Sequence, residues 1–344
     1  MLRSCRSLAA ALSCALVMLV STPAVHGVPL NVKGADPSII QSRDLFIAAQ
    51  TGASGTIVVR TSPTLADIST GPAVTVWRDS DGLGELWAPE IVNHDNLFRI
   101  YFALGTGAAH RMYEIHSSEP TGPYFTATHM DLPDDMFAID GIAFFYQDQR
   151  YFVWSGWGSS NVAQNLYIAK MKDATTSIGP RYMISSPQGK WETQDSKPLV
   201  NEAPEPLIDP DKRLHIVYSV NGSWDRRYCI ADLRLKVNGD PLKAGDWAKS
   251  DGCLFGEEKK NLRKGWDTTL NVIGPGHPSF LLKDGLIANS PPAGPRFDIA
   301  FHAVEKNTKY SWGAPQWYSG SAVWWGSQTY SGDPQPGMSL KIFE

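Results

Sequence analysis

Charged side chains recur beside short apolar segments at long intervals in this 344-residue sequence. Asp36, Glu90, Asp140, Glu202 and His277 each lie close to a proline or a small residue, at successive spacings of 54, 50, 62 and 75 positions. Two carboxyl groups at one site can divide acid and base work, because a protonated one assists a leaving oxygen while an ionised one activates water. If the fold gathers these residues, they predict hydrolysis of glycosidic bonds.

Each acid also has a purely structural interpretation. Asp36 before Pro37 is typical of a turn, and Asp140 before Gly141 is typical of a hairpin corner. Glu202 could be a solvated charge at the end of a strand. In every unit, however, the charged residue comes before the first strand and the hairpin turn comes later, which favours a shared site.

The five charged residues belong to five similar sequence units. Each unit continues with a short apolar strand, a turn and a second strand that is rich in aromatic residues; these second strands are DLFIAA, LFRIYFAL, RYFVWSG, RLHIVYS and RFDIAFHA. Units of about 50 to 60 residues have room for four strands and predict an all-β, five-bladed β-propeller. The innermost strands of such blades line one channel, so the charged residues should converge at its mouth.

The N-terminus has the order of a secretory signal. Arg3 and Arg6 precede an apolar run over residues 7–20, which is followed by small residues. The run is too short to span a bilayer comfortably. We expect a signal peptide over residues 1–27, a single catalytic propeller domain over residues 28–344, and secretion to the extracellular space.

The charge balance of the mature chain limits its partners. Residues 28–344 carry 29 Lys and Arg against 35 Asp and Glu, a net charge of −6. Nucleic acid is excluded as a partner on this basis. Basic residues are scattered singly and no second long apolar run follows, so no membrane contact is expected. We expect a monomer whose partner is a polysaccharide or an oligosaccharide.

Cysteine usage fits an oxidising compartment. Cys5 and Cys14 would leave with the signal, so Cys229 and Cys253 are the pair available for an intrachain disulfide, which we expect. Two buried free thiols are the alternative, and a zinc site is less favoured because no CxxC motif accompanies them. Asn221–Ser223 is the single N-glycosylation sequon.

Other catalytic signatures are absent from the sequence. It has no GxSxG elbow, no HExxH motif and no P-loop. Aromatic residues could supply apolar faces for a sugar, although packing is their default role. Trp87, Phe137 and Trp157 are the candidate walls of a sugar site, and Glu90 and His277 are candidate partners for a hydroxyl group or a water.

Three of these motifs carry a resemblance to a known family. Gly34–Ile39 (GADPSI), Ala138–Gly141 (AIDG) and Asn201–Pro204 (NEAP) occur in the order and spacing of glycoside hydrolase family 43, the five-bladed propeller enzymes acting on arabinose- and xylose-containing polysaccharides. The match runs from about Gly34 to His302. The resemblance implies an inverting hydrolase in which Asp36 is the general base, Glu202 the general acid, and Asp140 the residue that orients the acid and modulates its pKa.

Further segments resemble the branch of extracellular exo-α-1,5-L-arabinofuranosidases and arabinanases. They are LWAPE (86–90), HRMYEI (110–115), QNLYIAKM (164–171), GDPL (239–242) and GPGHPSF (274–280). His277 matches a family histidine that in related arabinanases contacts a water or a calcium ion. Catalysis by carboxyl groups requires no cofactor. The resemblance allows one structural Ca²⁺ in the channel near His277.

The sequence departs from the family pattern in two places. Ala203 replaces the more usual glycine after the acid. The last blade should offer an arginine to the sugar, yet no Lys or Arg lies between Lys309 and Lys341, although Gln328 matches a family glutamine there. Alternative functions are a β-xylosidase, another pentose or galactan hydrolase on the same scaffold, and a sugar-binding propeller without catalysis.

Overall fold

Five antiparallel sheets form the fold in the computed structural model of the chain. The structure describes residues 27–158, 163–194, 197–266, 270–285, 296–311 and 313–344. The expected signal peptide, except Gly27, lies outside the described residues. Within the described part the regular elements are almost entirely β-strands, together with four 3₁₀ turns of three residues each: Gly107–Ala109, Pro133–Asp135, Ala244–Asp246 and Lys259–Asn261.

The strands follow each other along the chain as blades. An N-terminal strand, β1 (Val28–Lys33), precedes them. The first blade contains β2 (Ser38–Ser42), β3 (Leu45–Gly52), β4 (Thr56–Ser62) and β5 (Ala73–Arg78). The second contains β6 (Glu85–His94), β7 (Leu97–Gly105), β8 (Arg111–Ser117) and β9 (Thr128–His129). The third contains β10 (Ala138–Tyr146), β11 (Gln149–Trp157), β12 (Gln164–Met171) and β13 (Ser177–Ser185).

The last two blades complete the ring. The fourth contains β14 (Asn201–Ile208), β15 (Leu214–Val220), β16 (Cys229–Leu235) and β17 (Trp247–Lys249). The fifth contains β18 (Val272–Phe280), β19 (Arg296–Glu305), β20 (Gln316–Tyr330) and β21 (Asp333–Phe343). Each of the first four sheets has its strands in chain order. These blades confirm the predicted five-bladed β-propeller.

The fifth blade joins the two ends of the described chain. The long strand β20 pairs with β19 on one edge, and its other edge is shared by β1 and β21. Val28 pairs with Ser319 near the start of β20, whereas Ser321 pairs with Phe343 further along it. The N-terminal strand therefore closes the ring by hydrogen bonding to the last blade.

In four blades the inner strand contains a residue with a left-handed backbone. In the first blade this residue is Asp36, two positions before β2. φ is 55° at Asp36, 44° at Ala88, 53° at Asp140, 50° at Ala203 and 50° at His277. All of these residues except Asp36 lie within strands. Each of these four coincides with a break in register between the inner strand and its neighbour. Such bulges turn a side chain out of the alternating pattern of the strand, and they are common beside active sites.

Side-chain oxygens bridge neighbouring blades near these bulges. The Ser38 hydroxyl accepts a hydrogen bond from the backbone N–H of Ile91 at 2.9 Å. The Ser219 hydroxyl accepts one from the N–H of His277 at 2.8 Å, and Ser279 accepts one from Ile39 at 2.9 Å. Because a bulge leaves backbone donors unpaired in its own sheet, these contacts satisfy buried groups and fix each inner strand against the next.

The charged residues differ from the predicted pattern in their position within the blades. Asp36 precedes its inner strand as predicted, but Glu90, Asp140, Glu202 and His277 lie inside theirs. The hairpin interpretation of Asp140 is wrong, since the turn of that hairpin follows Tyr146. Bulges allow polar residues within a buried strand to face the channel, and the apolar pattern alone does not reveal them.

The structure contains the predicted disulfide. Cys229 at the start of β16 is bonded to Cys253, 24 residues later. Asn221 of the sequon is fully buried, and its side-chain nitrogen donates to the carbonyls of Trp191 and Arg227, each at 3.1 Å. A glycan on that nitrogen would displace both bonds, so the folded protein does not present this sequon. No helix in the described residues is long and apolar enough to cross a membrane.

Candidate active site

Asp36 lies in contact with two histidines of the fifth blade. Its backbone N–H donates to Nδ1 of His302 at 3.0 Å, and its Oδ1 lies 3.0 Å from Nδ1 of His277. Burial alone would raise the pKa of Asp36, but the charge of His277 and its hydrogen bond to the carboxylate, with a smaller contribution from His302, hold it well below the usual range. The side chain nevertheless remains 27% exposed. Asp36 is therefore an ionised carboxylate with access to the channel.

His277 lies between two carboxylates. Its Nδ1 faces Asp36, and its Nε2 lies 2.6 Å from Oε1 of the buried Glu90. Burial would lower the pKa of His277, yet the negative charges of Asp36 and Glu90 and the hydrogen bonds to them raise it well above its ordinary value. The ring is thus a buried imidazolium, whose positive charge lies beside the carboxylate of Asp36.

Glu202 occupies the opposite kind of environment. It is 5% exposed, and its Oε2 accepts a hydrogen bond from the amide of Gln164 at 3.1 Å. Burial and the negative charge of Asp36 raise the pKa of Glu202 to about 7, against the opposing hydrogen bonds from Tyr228 and Gln164. A carboxyl group with this pKa is protonated in a large fraction of molecules at neutral pH, as a general acid requires.

Asp140 is linked to the backbone next to Glu202. Its Oδ2 accepts a hydrogen bond from the N–H of Ala203 at 3.1 Å. Burial raises the pKa of Asp140 well above its ordinary value, His277 opposes this, and the charges of Glu202 and Asp36 add to it. Two carboxyl groups that repel each other in this way titrate as a pair and cannot both ionise easily.

The structure brings the five sequence-predicted charged residues together. His277 joins Asp36 to Glu90, and Asp140 reaches the strand that carries Glu202. The inner strands β2, β6, β10, β14 and β18 contact one another in a closed ring, which explains how residues from five blades meet. The hairpin-corner interpretation of Asp140 and the solvated-charge interpretation of Glu202 do not hold, because both side chains are buried within strands.

Aromatic rings stack between the second and third blades. Trp87 stacks on His110 with ring centres 3.8 Å apart, and Phe137 stacks on Trp157 at 4.2 Å. His110 meets the edge of Phe137 at 6.2 Å, so the four rings are continuous. Phe137 is only 5% exposed, whereas Trp87 and Trp157 are partly exposed. The two tryptophans can therefore present faces to a ligand, and Phe137 supports Trp157.

Four further residues of the site were missed by the sequence-based reasoning. His302 accepts a hydrogen bond from Asp36, and Gln164 donates one to Glu202. Tyr228 stacks on His302 and lowers the pKa of Glu202. Glu205 is a buried carboxyl group whose pKa is raised well above its ordinary value, by burial first and then by Glu90. Gln164 and His302 are parts of segments singled out in the sequence, but their contacts join different blades. Local spacing carries no signal for such contacts.

A calcium ion bound directly by His277 would have to compete with protein groups. Both ring nitrogens already face carboxylates, so coordination would require one of these bonds to break. The described residues contain no group of three or more His, Cys, Asp or Glu arranged to hold a metal ion. The residues present therefore do not fit a calcium ion held directly by His277.

The fifth-blade strand that Gln328 led us to expect is present as β20. It lies within the stretch between Lys309 and Lys341 that contains no Lys or Arg. Gln328 is in the outer hairpin of the fifth blade, where its carbonyl accepts a hydrogen bond from Arg234 at 3.0 Å and its amide donates to Gly326. It is therefore a structural residue of that hairpin. Neither contact involves the carboxylates of the channel.

Comparisons with known proteins agree with this geometry. An extracellular exo-α-(1→5)-L-arabinofuranosidase of Streptomyces avermitilis is 30% identical over 271 residues, covering 74% of this chain and 53% of the relative. The α-L-arabinofuranosidase 43 of Humicola insolens is 28% identical over 77% of this chain and 56% of the relative. The chain thus spans about half the length of these curated relatives.

The fold also matches solved structures along nearly its whole length. The crystal structure of an α-L-arabinofuranosidase from Lactobacillus brevis superimposes with a TM-score of 0.71 at 24% identity, covering 93% of each chain. A thermostable family-43 glycoside hydrolase gives a TM-score of 0.66 at 18% identity, covering 92% of this chain and 95% of the other. The model of glycosyl hydrolases family 43 matches residues 28–286. On the strength of that match, the chain belongs to glycosyl hydrolases family 43.

Proposed function

We propose that this chain is an inverting glycoside hydrolase that cleaves α-L-arabinofuranosyl linkages, with the α-1,5 linkage of arabinan as its preferred bond. Carboxyl groups and histidines gather at the site, and Trp87 and Trp157 of the second and third blades are partly exposed. Such a set of groups suits a sugar, which offers hydroxyl groups for the carboxylates and a C–H face for the rings.

One observation carries the proposal: two carboxyl groups of the site are held in opposite states. His277 and His302 keep Asp36 ionised, whereas burial raises the pKa of Glu202 to about 7. Glycoside hydrolysis requires this division, because one group must accept a proton while the other donates one.

The mechanism follows from these states. Asp36 takes a proton from a water as the water oxygen bonds to the anomeric carbon, on the face opposite the leaving group. Glu202 gives its proton to the leaving oxygen as the glycosidic C–O bond breaks. The product sugar has the inverted anomeric configuration, Asp36 is left protonated, and Glu202 is left ionised. Exchange of one proton with solvent restores both groups.

Asp140 and Gln164 prepare the acid for this step. Asp140 binds the N–H of Ala203 and therefore fixes the backbone directly after Glu202, while the Gln164 amide fixes one oxygen of its carboxyl group. Any negative charge on Asp140 opposes ionisation of Glu202. This role combines orientation of the acid with support for its raised pKa.

The choice of sugar rests on relatives. The Streptomyces avermitilis and Humicola insolens proteins are named as arabinofuranosidases, and the first name specifies the α-(1→5) linkage and an extracellular location. Secretion of this chain is supported by its N-terminal apolar run after Arg3 and Arg6 and is part of the proposal.

A panel of substrates tests the proposal. The chain from residue 28 onward would be assayed for release of reducing sugar from α-1,5-arabino-oligosaccharides, linear arabinan, xylo-oligosaccharides and galactan, with Asp36→Ala as the matched inactive control. We expect release from the arabinosides by the wild type and a loss of about 10²- to 10⁴-fold in the variant. A preference for xylosides would overturn the proposed sugar, and no release from any substrate would overturn the proposed catalysis.

A further inference from the structure

An exposed tryptophan lies on the loop that is attached to the acid. Residues 221–228 connect β15 to β16, and Trp224 within this loop is 42% exposed. The loop forms an ordered turn, because the N–H of Asp225 donates to the carbonyl of Gly222 at 2.8 Å and the N–H of Tyr228 donates to that of Asp225 at 3.0 Å. The exposed part of this ring is held on an ordered loop and is therefore available to a ligand.

Both ends of this loop contact Glu202 or its strand neighbours. The loop starts directly after Val220, and the preceding residue, Ser219, pairs with Glu202 across the β14–β15 hairpin. The loop ends at Tyr228, whose hydroxyl group lies close enough to Glu202 to lower the pKa of that carboxyl group, and whose ring stacks on His302 with ring centres 5.4 Å apart. Trp224 is therefore carried by a segment that begins and ends at the acid.

The fifth blade fixes the same loop from the other side. Tyr310, in the connection between β19 and β20, donates from its hydroxyl group to the carbonyl of Ser223 at 2.6 Å. The charge of Glu202 acts on Tyr310, whose pKa is raised mainly by burial and secondarily by Asp225 and Glu202. Tyr310 therefore lies near the acid, and it holds the residue directly before Trp224.

The indole of Trp224 has a defined position. A Cβ added to Gly222 would come within 2.3 Å of the ring, so the indole lies directly against the backbone of Gly222. Gly222 covers part of the Trp224 ring, and the uncovered part of the ring is exposed to solvent. Asn221, at the start of the loop, is buried and hydrogen bonded, so the folded loop does not offer its side-chain nitrogen to a glycan.

We propose that Trp224 is a platform for the sugar on the leaving-group side of the cleaved bond, and so determines specificity for oligosaccharides. This inference rests on the proposed function. The general acid must lie next to the leaving oxygen, so a ring attached to the acid's own hairpin lies on the side of the departing sugar. Trp87 and Trp157 come from the second and third blades, so Trp224 adds a surface from a different part of the rim.

Two substrates separate this role from catalysis. α-1,5-Arabinobiose places a sugar on the leaving-group side, whereas α-L-arabinofuranosyl fluoride has only a fluorine atom there. We expect Trp224→Ala to lower kcat/KM about tenfold or more for arabinobiose, mostly through KM, and to leave turnover of the fluoride within about twofold. Trp224→Phe should retain most activity on arabinobiose, because a planar ring remains.

Trp325→Ala is the matched control. Trp325 is 49% exposed on the outer hairpin of the fifth blade, so it offers a similar ring away from the loop. It should behave as the wild type on both substrates. Equal losses on both substrates by Trp224→Ala would show a structural effect, and unchanged kinetics on arabinobiose would show no platform. Either result overturns the inference.

A binding measurement keeps the two proposals distinct. Calorimetric titration of arabinotriose into Asp36→Ala, with and without Trp224→Ala, requires no turnover. We expect affinity to fall about tenfold when Trp224 is removed, even if the wild type fails to hydrolyse arabinosides, a failure that would overturn the proposed catalysis alone. Equal affinity in the two proteins, or no binding by either, would overturn the platform.

Discussion

The carboxylate of Asp140 accepts a hydrogen bond from the backbone N–H of Ala203 at 3.1 Å, so an acid of the third blade is fixed to the inner strand of the fourth. Ala203 directly follows Glu202 and has a left-handed backbone, with φ at 50°. The contact therefore holds the bulge that presents the acid. It also explains how alanine can occupy a position where glycine is more usual in the family, since the strand is held in this conformation from outside.

Asp140→Asn should shift the pH profile without disrupting this contact. The asparagine oxygen can still accept the Ala203 N–H, but the titrating partner of Glu202 is gone. Because the repulsion between the two carboxyl groups is removed, the pKa of Glu202 should fall. The basic limb of the kcat/KM profile should then move to lower pH. Profiles of the wild type and the variant on one arabinoside would measure this. An unmoved basic limb would argue against coupling between the two acids.

Glu202→Ala should affect substrates according to their leaving groups. A sugar leaving group needs a proton, so turnover of arabino-oligosaccharides should fall about 10²- to 10⁴-fold. An aryl arabinofuranoside with an activated leaving group hardly needs protonation and should lose far less. Steady-state kinetics on both substrates would decide this, with Asp36→Ala as a control that should lose activity on both. Equal losses by Glu202→Ala on both would reject Glu202 as the acid.

Removal of the disulfide should reduce stability and spare the site. The bond joins Cys229 to Cys253 across 24 residues, and closing a loop of this length contributes roughly 3 kcal/mol. The double variant Cys229→Ala, Cys253→Ala should lose about 2 to 4 kcal/mol of unfolding free energy in urea, with kcat/KM nearly unchanged when assayed far below the unfolding transition. A variant as stable as the oxidised wild type would refute this expectation.

His215 should make stability depend on pH above neutrality. It is fully buried, with Nδ1 at 2.8 Å from Asp232 and Nε2 at 3.2 Å from Asp209. Burial would lower its pKa, but the charges and hydrogen bonds of Asp232 and Asp209 raise it to about 9. Because the folded pKa lies above the unfolded value of about 6.5, this stabilisation is full below that pH and is lost as pH rises through about 9.

Urea unfolding at several pH values would test the role of His215. Between about pH 6 and pH 9.5 the charge of His215 should account for on the order of 3 kcal/mol of the unfolding free energy that the wild type loses, in addition to the loss from His277. His215→Asn should be less stable at pH 6 and should lose that much less than the wild type over the same range. Equal losses in the two proteins would contradict a charged histidine at this position.

The sequence was sufficient to predict the blades and the acids for a physical reason. Each blade is a local unit, so its alternation of apolar strands and turns recurs along the chain, and a charged residue recurs in or just before the inner strand of each unit. Five repeats therefore predicted the propeller and the convergence of Asp36, Glu90, Asp140, Glu202 and His277, all of which the structure brings together.

The contacts between blades could not be predicted in this way. The pairing of β1 with β20, the bond from Asp36 to His302, and the bond from Gln164 to Glu202 join residues that are distant in sequence. The left-handed positions in the bulges share no residue type, because alanine, aspartate and histidine all occur there. The sequence therefore does not mark these positions. The Asn221 side chain is likewise held by contacts with Trp191 and Arg227. The three residues of the sequon alone do not show that Asn221 is inaccessible.

The stereochemistry of the first product tests the central claim most directly. Proton NMR during hydrolysis of α-1,5-arabinobiose by the wild-type protein distinguishes the two anomers of newly released arabinofuranose before they interconvert. The account predicts that the sugar on the cleaved side appears first as the β-anomer, because Asp36 directs water to the face opposite the leaving group. First appearance of the α-anomer, or no release of arabinose, would contradict it.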